Sequence, residues 1–129
     1  MSISKQVFRS GPYAKYMAQG VKVGNILYLS GQVGIDASGN IPTGMAEQTA
    51  LAYANIRAVL KEFGAGFDNI VDETFLVTSV EETHENLEAI YGARAEAYGG
   101  IPEVTQTLIG ISGLVLPQLK LEIKCIAHL

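Results

Sequence analysis

VKVGNILYLSGQVGID, residues 21–36, sets two β-rich runs on either side of a Gly24-Asn25 pair. Apolar and β-branched residues favour extended backbone, and Gly-Asn suits a tight two-residue connection, so the segment predicts a strand, a hairpin turn and a second strand. Ser38-Gly39-Asn40 marks another turn just beyond it, which completes an N-terminal antiparallel unit. Further on, residues 43–63 space Ala52, Tyr53, Ile56, Val59, Leu60 and Phe63 three to four apart, the period of an amphipathic helix, with Gly64 as its stop. IVDETFLVTSV, residues 70–80, is rich in β-branched residues and predicts a strand. Simple alternation puts Val71, Glu73, Phe75 and Val77 on one face and Asp72, Thr74, Leu76 and Thr78 on the other. A second helix is expected over residues 83–100, where Leu87, Ile90, Tyr91, Arg94 and Tyr98 recur on neighbouring turns and Gly99-Gly100 ends it with Tyr98 against the sheet. VTQTLIGI (104–111) and LKLEIKCIA (119–127) read as the last two strands, joined by the irregular SGLVLPQ.

Strands, helix, strand, helix and two strands give an α+β class: one mixed sheet with two helices on one face and right-handed crossovers. The other sheet face then has no helix to cover it. The composition points the same way, because a mean hydropathy of +0.22 with only 17% charged residues is high for so small a chain. Burial of apolar surface between copies of the chain satisfies both observations.

With 129 residues, no internal repeat and no linker-like stretch, one domain over residues 1–129 is expected. No run of eighteen apolar residues predicts a membrane span, and the N-terminal segment has no apolar core of the kind a signal peptide needs. A net charge of −4 and a pI near 5.1 disfavour nucleic acid as a partner, since its phosphates are held chiefly by Lys and Arg. Cys125 is the single cysteine, which removes any intrachain disulfide and any cysteine metal cluster and suits the cytoplasm. The sequence has no CxxC, HExxH or phosphate-binding glycine loop, so no metal and no cofactor is expected.

The residues left to do chemistry are few. Glu122 shares a strand face with Lys120, Lys124 and Ile126, where a carboxylate at a subunit contact acquires a raised pKa and holds a water or proton; a solvated Lys-Glu-Lys face is the plainer alternative. Tyr13 and Tyr16 lie in a Gly-bounded N-terminal segment, either lining a pocket or fastening that segment to the sheet. Gly31, in Ser30-Gly31-Gln32, allows a ligand close to the backbone. His84 is expected to face solvent, and Cys125 to be an inert strand residue.

Four segments together, GPYAKYMAQGVKVGNILYLSGQVGID (11–36), ANIRAVLKEFGAGFDNIV (54–71), LEAIYGARAEAYGGIP (87–102) and LPQLKLEIKCIA (116–127), resemble the Rid (RidA/YjgF) family, formerly called L-PSP endoribonucleases, over nearly the whole chain. The resemblance implies a chorismate-mutase-like fold, a homotrimer around a barrel-like core, and small-molecule clefts between subunits. It also implies hydrolysis of reactive enamines and imines to a carbonyl compound and ammonia, without metal or organic cofactor. In the enzymes this chain resembles, an Arg grips the substrate carboxylate, a Glu positions water, and an N-terminal Tyr and a backbone N–H complete the pocket. By motif, Glu122 matches the Glu, Gly31 the pocket glycine, and Tyr16 the Tyr, with Tyr13 also open because this segment is one residue longer than the common pattern.

The clamping Arg has no counterpart. Residues 102–110 contain none; counting from Pro102 puts Val104 in its place, and aligning the strand puts Gln106 there. Loss of a desolvated bidentate contact costs about 2–5 kcal/mol. The resemblance is therefore to an Arg-lacking branch, in which Thr105, Gln106 and Thr107 are candidates to hydrogen-bond a neutral ligand. Two functions follow as expectations: an enamine or imine deaminase working through Glu122, or a non-catalytic module that binds a small metabolite in the same clefts.

Overall fold

The computed structural model describes residues 2–129 as one mixed sheet carrying its helices on one face. In chain order the elements are β1 (Gln6–Phe8), β2 (Gly20–Val23), β3 (Ile26–Leu29), β4 (Gln32–Val33), α1 (Met45–Glu62), β5 (Ile70–Val77), α2 (Val80–Glu85), α3 (Leu87–Tyr98), β6 (Thr105–Gly110) and β7 (Leu121–His128). The strands run in the order β1-β2-β3-β7-β5-β6, and β4 pairs with β7 beyond β3. Only β5 and β6 are parallel. The expected hairpin is present: Val23 pairs with Ile26, and Gly24, at φ 58°, takes the positive backbone angle that the two-residue turn requires.

Leu121, Ile123, Cys125 and Ala127 of β7 alternate with Glu122, Lys124, Ile126 and His128. The first set is buried under α1 and α3 together with Leu27, Leu29, Phe75 and Val77, and Tyr53, Ile56, Leu60 and Ile90 meet it from the helices. Strand period and helix period thus bury one continuous apolar layer, the main stabilising term of a domain this size. The opposite face has no helix over it in the single chain, and Tyr28 and Ile109 on that face stay 44% and 45% exposed.

Two expectations change. Val71 does not share a face with Glu73: the β5–β7 register shifts between Ile70 and Asp72, leaving Val71 as an inserted residue, 40% exposed, while Ile70 is buried. A one-residue bulge of this kind inverts the alternation on one side of it, which period counting does not detect. The second helix is in fact two. Ser79 caps α2 by accepting from the Glu82 N–H at 3.0 Å, and Asn86 then ends α2 and begins α3, its side-chain amide donating to the Glu82 carbonyl at 2.8 Å. Asn competes with the helix for its own backbone partners, so a break there is physically reasonable.

Candidate functional site

A second bulge builds the site. Between the Tyr28–Ile126 and Gln32–Ile123 pairs, Leu29, Ser30 and Gly31 run opposite only Cys125 and Lys124. The extra residue lifts the Ser30-Gly31 backbone out of the ladder. Ser30 then donates to the Ala18 carbonyl at 2.6 Å, Gln32 donates to the Gln19 side chain at 2.8 Å, and Lys124 donates to the Leu29 carbonyl at 2.7 Å. These contacts tie the N-terminal segment to the bulge.

Glu122, opposite Val33 on the uncovered sheet face, lays its carboxyl against Gly31. A Cβ on Gly31 would lie 2.1 Å from Glu122 Oε2, so only glycine at this position admits the carboxylate. Burial pushes the Glu122 pKa up from the usual carboxylate value, and the nearby Lys124 ammonium opposes that only in part. Gly31→Ala is expected to swing the Glu122 carboxyl toward solvent and return its titration toward the ordinary glutamate range, as read by carboxyl-carbon NMR. Because the obstacle is the far end of a flexible side chain, the unfolding free energy should change by less than about 1 kcal/mol. An unchanged titration would show that Gly31 does not set the position of the carboxyl.

Glu122 and Gly31 open into a groove of about 940 Å³, walled by Phe8, Pro12, Tyr13, Met17, Val115 and Leu116. Of the two candidate tyrosines, Tyr13 lines this groove; Tyr16 does not, being 70% exposed with the Lys15 ammonium 5.3 Å from its ring centre. The short turn that includes the Tyr13 carbonyl, which accepts from the Tyr16 and Met17 N–H groups, places the two rings differently.

The three β6 candidates lie elsewhere in the protomer. Thr105 donates to Asp72 Oδ1 at 2.7 Å, and Thr107 sits on the uncovered face beside Thr74. With β5 between β6 and β7, Thr107 is roughly 10 Å from the Glu122 strand. Gln106 faces the helices: its amide donates to Glu73 Oε1 at 3.0 Å and its carbonyl oxygen accepts from the Tyr91 hydroxyl. Val104, the other position considered for the absent Arg, packs against the core. Within one chain, then, Glu122 and Gly31 come together, and Tyr16, Thr105, Gln106 and Thr107 do not join them.

Gln106 belongs to a buried polar cluster centred on Glu73, which is 0% exposed. Glu73 accepts from Tyr53 at 3.0 Å, from Tyr98 at 2.8 Å, from Gln106 and from Arg94 Nε. Burial works against the Arg94 charge, but the Glu73 carboxylate outweighs it and raises the Arg94 pKa. Burial and the same carboxylate push the Tyr53 and Tyr98 phenols far above their ordinary range, so both remain O–H donors. Helical spacing marks Arg94 and Tyr98 only as packing positions; the signal for the cluster is an acidic residue, Glu73, at a core position of β5 facing Arg and Tyr at helical spacing. Cys125 is buried beneath this layer with its thiol pKa pushed up by burial, which fits an inert residue. His84 is exposed on α2, as expected.

Among the described residues no group of His, Cys, Asp and Glu is disposed to hold a metal, and no helix is long and apolar enough to cross a membrane. Residues 8–129 match the family model described as endoribonuclease L-PSP. The RutC family protein YjgH of Escherichia coli K12 is 29% identical over 127 residues, covering 95% of this chain and 93% of that protein. The 2-iminobutanoate/2-iminopropanoate deaminase of Bos taurus is 38% identical over 84 residues, which is 64% of this chain and 58% of the deaminase. The solved structure of Rv2704 from Mycobacterium tuberculosis, a member of the YjgF/YER057c/UK114 family, has a TM-score of 0.81 at 24% identity, covering 98% of this chain and all of that one. The structure of protein YJGH has a TM-score of 0.79 at 30% identity, with 95% and 93% covered. A match over almost the full length, on a mixed sheet with its helices on one side, places the chain in the endoribonuclease L-PSP family, also known as the Rid or YjgF family, with the chorismate-mutase-like fold of that group.

Proposed function

We propose that the protein hydrolyses reactive imines and enamines to a carbonyl compound and ammonia, with Glu122 as the base that activates water. The observation that carries this reading is the Glu122 carboxyl held against Gly31 at the end of an apolar groove, half-buried and with a raised pKa. A desolvated carboxylate is a stronger base than one in water, and its raised pKa brings it closer to the pH at which it must work. Water adds through oxygen to the carbon of the protonated imine, one water proton passes to Glu122, and the C=N electron pair goes to nitrogen, leaving a neutral carbinolamine. Glu122 then returns that proton to nitrogen, the C–N bond breaks with its electron pair on the departing ammonia, and the hydroxyl proton passes to Glu122 and on to solvent as the C=O bond forms. An enamine enters the same route once a proton from solvent has been added to its β-carbon. Water and a carboxylate suffice for these steps, and no cofactor enters. The family includes proteins named for this class of reaction, such as the bovine deaminase.

The reading includes assembly as a homotrimer in the cytoplasm. The uncovered sheet face carries Tyr28, Leu76, Ile126 and Ile109, and packing three such faces together would bury them and enclose the groove between subunits. Light scattering is expected to give three times the 13.8 kDa chain mass, and a monomer at micromolar concentration would overturn the assembly. The activity itself is tested by ammonia release from imines generated in situ by an amine or amino-acid oxidase. Acceleration over the spontaneous rate supports the hydrolase. Saturable binding without acceleration would instead favour a metabolite-binding module in the same groove.

A further inference from the structure

The hydrolase reading leaves the substrate open, and the charges around Glu122 narrow it. We infer that the groove selects iminium ions with an apolar carbon framework and no carboxylate, in preference to 2-imino acids; this rests on the function proposed above.

The charged residues that one chain contributes to the groove are Asp36 and Glu62, both solvent-exposed, the half-buried Glu122, and Lys124, three acids against one base. Lys124 is already engaged with the Leu29 carbonyl at 2.7 Å. Arg94, which shares the Glu73 Oε1 acceptor with Gln106 of β6, the strand to which the family motif assigns its clamp, is bound to Glu73 behind the sheet. Asp36 stays ionised, since the Ser38 and Asn40 N–H groups, each at 2.9 Å, and the Asn40 amide donate to it and hold its pKa down. A substrate carboxylate entering this groove would lose water and meet acids instead of a bidentate donor. A protonated imine is the complementary charge, with N–H groups to donate to Glu122 and its framework left to the Phe8, Pro12, Tyr13, Met17, Val115 and Leu116 walls.

Two unreactive probes separate the substrate class from the chemistry: 1-phenylethylammonium, which has the charge and framework of the inferred substrate, and pyruvate, which has the carboxylate of an imino acid product. Binding to the assembled protein at pH 7, followed by the backbone amide shift of Gly31, is expected to be at least about ten-fold tighter for the ammonium ion, and that preference should vanish in Glu122→Gln. Turnover of the imine of acetophenone should likewise exceed that of 2-iminopropanoate, both formed in situ. Equal or tighter binding of pyruvate, no binding of either probe, or a preference that survives Glu122→Gln would each overturn the inference. Preferential hydrolysis of the imino acid would overturn it while leaving the hydrolase reading intact. Preferential binding of the ammonium ion with no turnover of either imine would uphold the ligand class and reject the hydrolase.

Discussion

Glu122→Gln is expected to lower kcat for imine hydrolysis by about 10²–10⁴-fold while leaving the fold and assembly unchanged, the range found when a positioned general base is removed. The amide keeps the shape of the carboxyl and still fits against Gly31, so lost packing would not explain the loss of rate. The ability to accept a proton is removed together with the negative charge. In the native protein the rate should rise with pH through the raised Glu122 pKa, because the base acts when ionised, and this inflection lies above the ordinary glutamate value of 4.5. The sign for stability is the reverse. A carboxyl whose pKa is higher in the folded than in the unfolded chain binds more proton when folded, so its contribution falls as pH rises from the unfolded value through the folded one. Glu122→Gln should abolish that slope in urea unfolding measured from pH 4 to 7. A variant with more than a tenth of native kcat, or an unaltered pH profile, would remove Glu122 from the role of base.

How far the site was legible depended on whether local pattern or a slipped register placed each residue. The hairpin at Gly24-Asn25, helix α1, and the alternation of β7 are set by short-range preferences, and the structure has them where residue spacing put them. Glu122 and Gly31 were identifiable as candidates, yet the bulge at residues 29–31 that brings them together is invisible to strand period, since it arises from how two distant strands pair. The same holds for Val71, turned outward by the other bulge. Gln106 illustrates a different limit. Its place in a strand says that it faces one side of the sheet but not which, and the Glu73 and Tyr91 partners that hold it inward come from other elements. A test that replaces Gln106 by Arg would therefore place a second guanidinium beside Arg94, not in the groove. Tyr13 and Tyr16 are separated by a turn whose geometry neither residue specifies.

Glu73→Ala should destabilise the fold by about 3–5 kcal/mol, the loss typical when one partner of a buried ion pair is removed. The pair lies under α3, with the Arg94 side chain 11% exposed and Glu73 fully enclosed. Without the carboxylate, Arg94 would keep a charge in a site where its Nη2 already has no hydrogen-bond partner, and the Tyr53 and Tyr98 hydroxyls would lose their acceptor. The edge-to-face stack of Tyr53, Phe67 and Tyr98, with centroids 5.1–5.9 Å apart, packs beside the pair, and Tyr53 and Tyr98 both donate to the Glu73 carboxylate. Removing both charges with apolar residues of similar volume is a different experiment. Glu73→Leu combined with Arg94→Met should recover part of the loss, because the desolvation cost of the two charges disappears along with their attraction while the Tyr53 and Tyr98 hydroxyls stay without their acceptor. Urea midpoints of the single and double variants at one fixed protein concentration make the comparison. The arrangement described here requires a strong positive coupling between the two sites; additive losses, or a loss below about 1 kcal/mol for Glu73→Ala, would mean that solvent reaches the cluster and screens it. Glu122 lies on the opposite sheet face, so a Glu73 variant that still folds should keep the titration of the Glu122 carboxyl, and the same samples therefore report whether the core cluster and the groove are energetically separate.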